Sequence, residues 1–253
     1  MRTMKTALIT GGAQGIGRGI VTRLRADGWR VAVFDLDAEA LNEVAAADPD
    51  LLCCTVDVGD EAQVAEGSRA VAEWAGPDGL TLLVSNAGIA DPVSGPLEDL
   101  SLQDWRRWQD SHVTGAFLTT RALLPLLRKA KGSLITMAST RALQSEPDCE
   151  AYAAAKGALV AMTHALAVSL GPEVRANCIL PGWIETGPWQ KSANRSDPAH
   201  SARDRDQHPV GRVGRVEDIA GLVVWLASEE AGFITGQRFV VDGGMGVRMI
   251  YEE

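Results

Sequence analysis

Residues 10–17 read TGGAQGIG and directly follow the apolar run ALI of residues 7–9. Gly11, Gly15 and Gly17 let a backbone turn sharply and leave room for a phosphate to approach. The following residues, 15–27, repeat apolar side chains at helical spacing, so a helix would direct its free amides and positive end at that phosphate. The spacing is GxxxGxG rather than GxGxxG, and such glycines also serve tight turns that hold no ligand.

The rest of the chain repeats this alternation of a strand and a helix. Continuous Val, Ile, Leu and Ala runs are typical of parallel strands covered on both faces. They predict strands at 7–10, 30–34, 51–56, 80–85, 133–138, 175–180 and 238–241. Helical spacing predicts helices at 15–27, 38–46, 61–74, 102–128, 150–170 and 217–227. The fold class is therefore α/β, a doubly wound Rossmann-like fold with a seven-stranded parallel sheet, helices on both faces, and ligands at the carboxyl ends of the strands.

We expect one domain over residues 1–253, because α/β chains of this length often form one domain and no linker or repeat interrupts the pattern. Residues 182–215 break the alternation with prolines, tryptophans and mixed charges. Loops this long inside a domain are usually functional or disordered, so we expect this one to cover a substrate site.

The charge balance of 24 Lys and Arg against 33 Asp and Glu, a net charge of −9, argues against nucleic acid or an anionic membrane as a partner. No apolar run approaches the ~20 residues that span a bilayer. The four cysteines, at 53, 54, 149 and 178, show no framework spacing and predict reduced thiols in a cytoplasmic protein. The four histidines lack metal-site spacing, so we expect no metal.

An acidic residue ends the second predicted strand. Asp35 could accept hydrogen bonds from both hydroxyls of a ribose and would repel a 2′-phosphate, and Gln14 brings no positive charge to that position. Both residues favour NAD over NADP, and Asp37 could share the role. Asp57 and Val58 follow the third strand, where the acid would either hold an adenine amino group or cap a helix.

Tyr152 and Lys156 lie four residues apart on a predicted helix and therefore share one face. A free tyrosine, with a pKa of about 10, exchanges protons poorly at neutral pH, and we expect the nearby ammonium to lower that pKa. Ser139, at the end of the fifth strand, could hold a carbonyl or alcohol oxygen. Tyr152 would then act as acid in reduction and as base in oxidation.

The chain resembles the short-chain dehydrogenase/reductase family in its single-domain form. The matching motifs are TGGAQGIG at 10–17, Asp57, SNAG at 85–88, Ser139, YAAAK at 152–156, PGWIET at 181–186, HPVGRVGRVEDIA at 208–220 and ITGQRFVVDGG at 234–244. The resemblance implies a nicotinamide cofactor and a homotetramer or homodimer. It implies that Lys156 also holds the nicotinamide ribose, that Asn86 and Gly88 line the ribose side, and that Ile184 and Thr186 meet the carboxamide and the phosphates. The full set of expected cofactor contacts is Gly11, Gln14, Gly15, Ile16, Gly17, Asp35, Asp57, Val58, Asn86, Ala87, Gly88, Tyr152, Lys156, Pro181, Gly182, Ile184 and Thr186.

One position departs from the family pattern. His112 stands in the segment DSHVTGAF, where members usually carry an Asn that helps to hold a proton-relaying water. The relay could survive through the backbone, the imidazole could join it as a group with a pKa near 6.5, or catalysis could be weakened. A direct role for the ring predicts that His112→Asn keeps activity but changes its pH profile.

The sequence favours an NAD-dependent oxidoreductase that interconverts a secondary alcohol (a small polyol, sugar or hydroxy compound) and its ketone. The alternatives are a 3-oxoacyl-carrier reductase that uses NADPH, and a nucleotide-binding protein of low turnover. The substrate would be a small molecule. Arg141, Gln144, Glu146 and Trp183 are expected near the mouth of the site, where the charges would either contact the substrate, pair with each other or face a neighbouring subunit.

Overall fold

The computed structural model describes residues 4–249. In chain order, the elements are β1 (Thr6–Thr10), α1 (Gly15–Ala26), β2 (Arg30–Asp35), α2 (Ala38–Ala47), β3 (Leu52–Thr55), α3 (Glu61–Ala75), β4 (Leu82–Ser85), α4 (Leu102–Gln109), α5 (Gly115–Ala130), β5 (Ser133–Met137), α6 (Glu150–Leu170), β6 (Arg175–Pro181), β7 (Ile184–Glu185), α7 (Ala202–Asp206), β8 (Gly214–Arg215), α8 (Val216–Leu226) and β9 (Arg238–Val241). Short 3₁₀ turns connect several of them.

Seven parallel strands form the central sheet in the order β3-β2-β1-β4-β5-β6-β9, which confirms the predicted fold class. Ile9 of β1 lies between Val33 of β2 and Val84 of β4. The chain first builds outward from β1 to β3 and then returns to the other side of β1 to form β4. This reversal opens a crevice at the carboxyl ends of β1 and β4, which is where open α/β sheets bind their ligands.

The inner strands of the sheet are buried on both faces because each face carries its own layer of helices, whereas the edge strands β3 and β9 are partly exposed. In β1, Ala7 and Ile9 belong to one apolar core and Leu8 to the other. The first core is completed by α1, α2 and α8, and the second by α3, α5 and α6. Such burial leaves no polar face on the strands, which explains why their sequences show continuous rather than alternating apolar runs.

The predicted helix over 102–128 is interrupted by a π-helical turn at Asp110–Thr114. There the backbone N–H of Gly115 donates to the carbonyl oxygen of Asp110, five residues back. A side chain on Gly115 would collide with Val58, 2.6 Å away, so the turn packs closely against the loop after β3. The wider turn places His112 on the sheet side of the helix, where its side chain is 2% exposed.

The segment 182–215 is not featureless. It contains β7, which pairs with β8 at its far end, together with α7 and two 3₁₀ turns. Gly182, Trp183, Ile184, Thr186 and Gln190 in its first half line the cleft at the carboxyl ends of the strands, and α8 follows the end of the segment.

The helix α6 is long and apolar enough by composition to cross a membrane, contrary to the expectation that no run reaches that length. In the fold it lies against β6 and carries Tyr152 and Lys156 toward the crevice. A third of its apolar window is buried in the fold.

The close approach of α1 to the end of β1 gives a test of the fold. A Cβ on Gly17 would lie 2.0 Å from the carbonyl oxygen of Gly11, so Gly17→Ala should destabilise the protein by about 1–3 kcal/mol, the usual cost of overpacking. Gly221→Ala in α8 is the matched control, because nothing lies within 4 Å of its Cβ, and it should gain up to about 1 kcal/mol. Denaturant unfolding measures both values. Equal stabilities for the two variants would contradict this account.

Candidate active site

A cleft of about 1010 Å³ lies at the carboxyl ends of the central strands. All four expected catalytic residues line it. The expected cofactor residues that line it are Gly11, Gln14, Gly15, Ile16, Asp35, Asp57, Val58, Asn86, Ala87, Gly88, Tyr152, Lys156, Pro181, Gly182, Ile184 and Thr186. Gly17 does not, because it lies beneath the turn against the Gly11 carbonyl. Residues from eight separate stretches of sequence therefore meet in one place.

The glycine turn adopts a backbone that side chains resist. Gly11 and Gly15 have φ values of +62° and +56°. A Cβ on Gly15 would meet no atom closer than Thr186 Cγ2 at 3.8 Å, so the space in front of it is open. An open left-handed glycine at the start of α1 provides the kind of cradle that a diphosphate occupies.

The two strands that flank the crevice are joined by side chains. Asn86 Nδ2 donates to the carbonyl oxygens of Thr10 at 3.0 Å and Gly11 at 3.1 Å. The buried Thr10 hydroxyl accepts the backbone N–H groups of Asn86 and Ala87, both at 3.0 Å. The sequence analysis did not predict a role for Thr10. Its position directly before Gly11 was the signal that could have indicated one. Its contacts fix the width of the crevice.

The Asp35 carboxylate is held in place at the end of β2. One oxygen accepts the N–H of Ala13 at 3.0 Å, and the other accepts the N–H of Asp37 at 3.1 Å. Asp35 lines the cleft, whereas Asp37 does not. Asp37 instead caps α2 through the N–H of Ala40 and pairs with Lys191, so the expectation that it shares the role of Asp35 is wrong.

The loop after β3 shows whether Asp57 caps a helix, which was one of the two roles predicted for it. Asp60, not Asp57, caps α3, accepting the N–H groups of Ala62 and Gln63. Asp57 accepts the N–H of Gly59 at 2.9 Å and faces the cleft. The carboxylate is therefore available on the side where an adenine would lie.

Helix α6 presents Tyr152 and Lys156 to the cleft one turn apart. The Lys156 ammonium donates to the carbonyl oxygen of Met137, the last residue of β5, at 3.0 Å, and lies 5.3 Å from the centre of the Tyr152 ring. Ser139, two residues beyond β5, is 6% exposed and lines the same wall. The end of one strand thus positions the hydroxyl, the phenol and the ammonium together.

Burial is the largest cause of the pKa shifts of Lys156 and Tyr152. It lowers the pKa of Lys156 to about 8. It also raises the pKa of Tyr152 above its ordinary value, and the Ser139 hydroxyl and the Arg141 charge oppose this rise only in part. The expectation of a lowered phenol pKa is therefore wrong, because burial of the phenol outweighs the groups that favour the phenolate.

His112 fills the space behind the tyrosine. Its ring meets the Tyr152 ring edge-on, with centroids 5.4 Å apart, and occupies the space where a Cβ on Gly88 would lie. Among the described residues, neither ring nitrogen has a partner at good hydrogen-bond geometry, although an interaction with the Ile89 backbone acts to raise the pKa of the ring. Burial, and then the Lys156 charge, lower the pKa of His112 to about 2. The ring is therefore neutral, and the expectation of a pKa near 6.5 is wrong.

The outer wall of the cleft consists of charged and aromatic side chains. Arg141 pairs with Glu146 at 2.6 Å, which favours the alternative in which these charges pair with each other. Trp183 is 41% exposed and contacts the rings of His200 and His208. The sequence analysis missed several lining residues that long loops bring in, namely Gln190, Gln207, Asp242 and Met245.

Known proteins share this arrangement. Residues 11–246 match the family model described as enoyl-(acyl carrier protein) reductase. An uncharacterized oxidoreductase of Thermotoga maritima is 43% identical over 256 residues, covering 98% of each chain. The L-2,3-butanediol dehydrogenase of Corynebacterium glutamicum is 35% identical, covering 95% of this chain and 98% of that protein.

Solved structures of known proteins have a similar fold. An apo SCOR enzyme from Clostridium thermocellum has a TM-score of 0.87 at 35% identity, covering 99% of this chain and 96% of that chain. A 3-ketoacyl-(acyl-carrier-protein) reductase from Brucella melitensis complexed with NADH has a TM-score of 0.85 at 30% identity, covering 96% and 98%. The chain belongs to the short-chain dehydrogenase/reductase family and is an oxidoreductase of CH–OH groups.

The residues of the cleft fit the nicotinamide cofactor that this family uses. Gly15 leaves an open cradle for a diphosphate, and Asp35 stands at one end of the cleft. The Lys156 ammonium and the Ser139 hydroxyl line the cleft at the catalytic end. A dinucleotide would thus have a polar partner at each end and a backbone cradle between them.

His112 provides a test of protonation in the site. Since the ring stays neutral, His112→Asn should lower turnover through lost packing on Tyr152 but leave the shape of the pH–rate profile unchanged between about pH 5 and 8. Glu66→Gln on the exposed side of α3, which removes a titratable side chain that does not line the cleft, is the control and should change neither quantity. A profile limb that disappears in His112→Asn would show that the ring titrates.

Lys156 provides a test of how much stability the protein loses by burying its ammonium. Lowering its pKa from 10.5 to about 8 corresponds to roughly 3 kcal/mol of lost stability at pH 7. The unfolded lysine holds its proton more tightly, so the cost is complete below about pH 8 and fades as the pH approaches 10.5. Lys156→Met should therefore abolish activity yet raise the free energy of unfolding at neutral pH, with a gain that narrows at alkaline pH.

Lys129→Met on the exposed end of α5 is the matched control for that measurement. It should stay within about 0.5 kcal/mol of the unmodified protein. A Lys156→Met variant that is less stable than the unmodified protein at neutral pH would contradict the assigned cost.

Proposed function

We propose that this protein interconverts a small secondary alcohol and its ketone with NAD as the hydride carrier. The observation that carries the proposal is that one cleft joins the trio of Ser139, Tyr152 and Lys156 to an open glycine turn and an anchored Asp35. The alcohol class we favour is a small polyol, sugar or hydroxy compound.

In this proposal NAD would supply the hydride-transfer chemistry when bound. Side chains of the protein bind the substrate oxygen and transfer its proton. The Ser139 hydroxyl holds the substrate oxygen. Tyr152 donates a proton to that oxygen in reduction and removes it in oxidation. The raised pKa of Tyr152 keeps the phenol protonated at neutral pH, and this suits the acid role. The Lys156 ammonium, fixed by the Met137 carbonyl, stabilises negative charge that develops on the phenol oxygen.

The choice of NAD rests on the adenosine end of the cleft. Two backbone N–H groups orient the Asp35 carboxylate at the end of β2, and its remaining lone pairs suit the two hydroxyls of a ribose. A 2′-phosphate at this position would meet like charge. The NADH complex of the Brucella reductase supports this choice by similarity.

A small polar substrate is favoured by the outer wall. The Arg141–Glu146 pair and Gln144 offer hydrogen bonds, whereas Trp183 offers one aromatic face. The butanediol specificity named for the Corynebacterium relative is of the same chemical class. The paired state of Arg141 argues against recognition of an acidic substrate by that side chain alone.

We also infer a homotetramer or homodimer in a reducing compartment such as the cytoplasm. Val168 on α6 is 84% exposed, and Phe233 next to α8 is fully exposed, which is typical of surfaces that meet another subunit. All four cysteines are free thiols. The net charge of −9 continues to argue against nucleic-acid and anionic-membrane partners.

A panel of diols, sugars, hydroxy acids and 3-oxoacyl thioesters, each with NAD or NADP and followed by nicotinamide absorbance, tests the proposal. We expect turnover of a small secondary alcohol with NAD. Tyr152→Phe should lose about 10²–10⁴-fold in kcat while it still binds NAD, because only the proton transfer is removed. Turnover confined to oxoacyl thioesters with NADPH would replace this proposal by the carrier-reductase alternative, and no turnover with any pair would favour a nucleotide-binding protein.

A further inference from the structure

The loop after β7 is fastened to helix α2 by an ammonium. Lys191 Nζ lies 2.9 Å from Asp37 Oδ2 and 2.7 Å from Glu39 Oε2, and its side chain is only 18% exposed. The backbone N–H of Lys191 donates to Gln14 Oε1 at 3.1 Å, and the next N–H, that of Ser192, donates to Glu43. These contacts hold the loop beside the glycine turn.

This fastening lies next to the carboxylate that we assign to the ribose. The backbone N–H of Asp37 donates to Asp35 Oδ1 at 3.1 Å, and Gln14 Nε2 donates to Asp37 Oδ2 at 3.2 Å. Asp35 and Gln14 line the cleft, whereas Lys191, Asp37 and Glu39 do not. The Lys191 ammonium is therefore linked to the proposed ribose site through Asp37, although it does not line the cleft itself.

We propose that Asp37 and Glu39 are cofactor-selectivity residues, because they hold the Lys191 ammonium away from the position of a 2′-phosphate. The inference rests on the proposed function. A phosphate at the adenosine ribose needs a cation to offset its charge and that of Asp35. Lys191 would supply that cation if its two carboxylate partners were neutral.

The charges around the ammonium agree with this arrangement. The pKa of Lys191 is raised by Glu39 and Asp37, and Lys191 is the largest cause of the lowered pKa of Asp37. Asp37 and Glu39 are the two carboxylates that pair with the ammonium, so neutralising both should free this flexible lysine. Arg18, a cation on α1, donates to the carbonyl oxygen of Gln190 and lines a separate pocket, so it is not placed to replace Lys191.

The test compares binding of NAD and NADP to the full chain by isothermal titration calorimetry, which needs no turnover. The variants are Asp37→Asn, Glu39→Gln and their combination. Asn keeps the oxygen that caps α2, so helix α2 should stay intact. We expect the double variant to bind NADP about tenfold more tightly or better, with a much smaller change in the Kd for NAD.

Two matched controls separate this role from a general change of charge. Adding Lys191→Met to the double variant should abolish the gain, because the ammonium is gone while the carboxylates stay neutral. Glu43→Gln removes one carboxylate from the same helix without freeing Lys191 and should leave the ratio of the two Kd values unchanged.

The outcomes distinguish the inference from the proposed function. An unchanged Kd ratio in the double variant, or a gain that persists without Lys191, would overturn the selectivity role while NAD binding remained intact. Failure of the unmodified protein to bind NAD and NADP at all would overturn the proposed function together with this inference.

Discussion

The active site depends on one costly contact, the burial of the Lys156 ammonium against the carbonyl oxygen of Met137. A buried charge with a single neutral partner is expensive, and two apolar cores on either side of the sheet must offset it. The same contact fixes the distance between α6 and the end of β5. Tyr152 lies on α6 and Ser139 follows β5, so the contact joins the two elements that carry the proton-transfer residues.

The opposite end of the cleft is built on backbone groups. Asn86 joins the ends of β1 and β4, and two N–H groups orient Asp35 without any cation nearby on its own strand. Backbone donors carry no titratable proton, so they fix the position of the Asp35 carboxylate by geometry alone. The protein thus separates a protonation-sensitive end, around Tyr152, from an end that recognises its ligand by fixed geometry.

The strand pattern and the glycine turn could be predicted from the sequence because they depend on neighbours in the chain. The π turn could not, because apolar spacing across 102–128 is compatible with one straight helix. Burial was the larger gap. The sequence shows that Lys156 follows Tyr152 by four residues but not how deep both lie, and depth reverses the direction of the tyrosine pKa. Lys191 and Glu39 are 152 residues apart, and no local pattern joins them.

The π turn at Asp110–Thr114 holds one residue more than an α-helical turn would. The residues before and after it are therefore offset by about 100° relative to a regular helix, the angle of one residue. Insertion or loss of a single codon in this segment would rotate all of α4 against the sheet while leaving every side chain unchanged in kind. The identity of the residue behind the catalytic phenol thus depends on the length of this segment as much as on its sequence. An alignment of relatives that is shifted by one position here would match the wrong side chains.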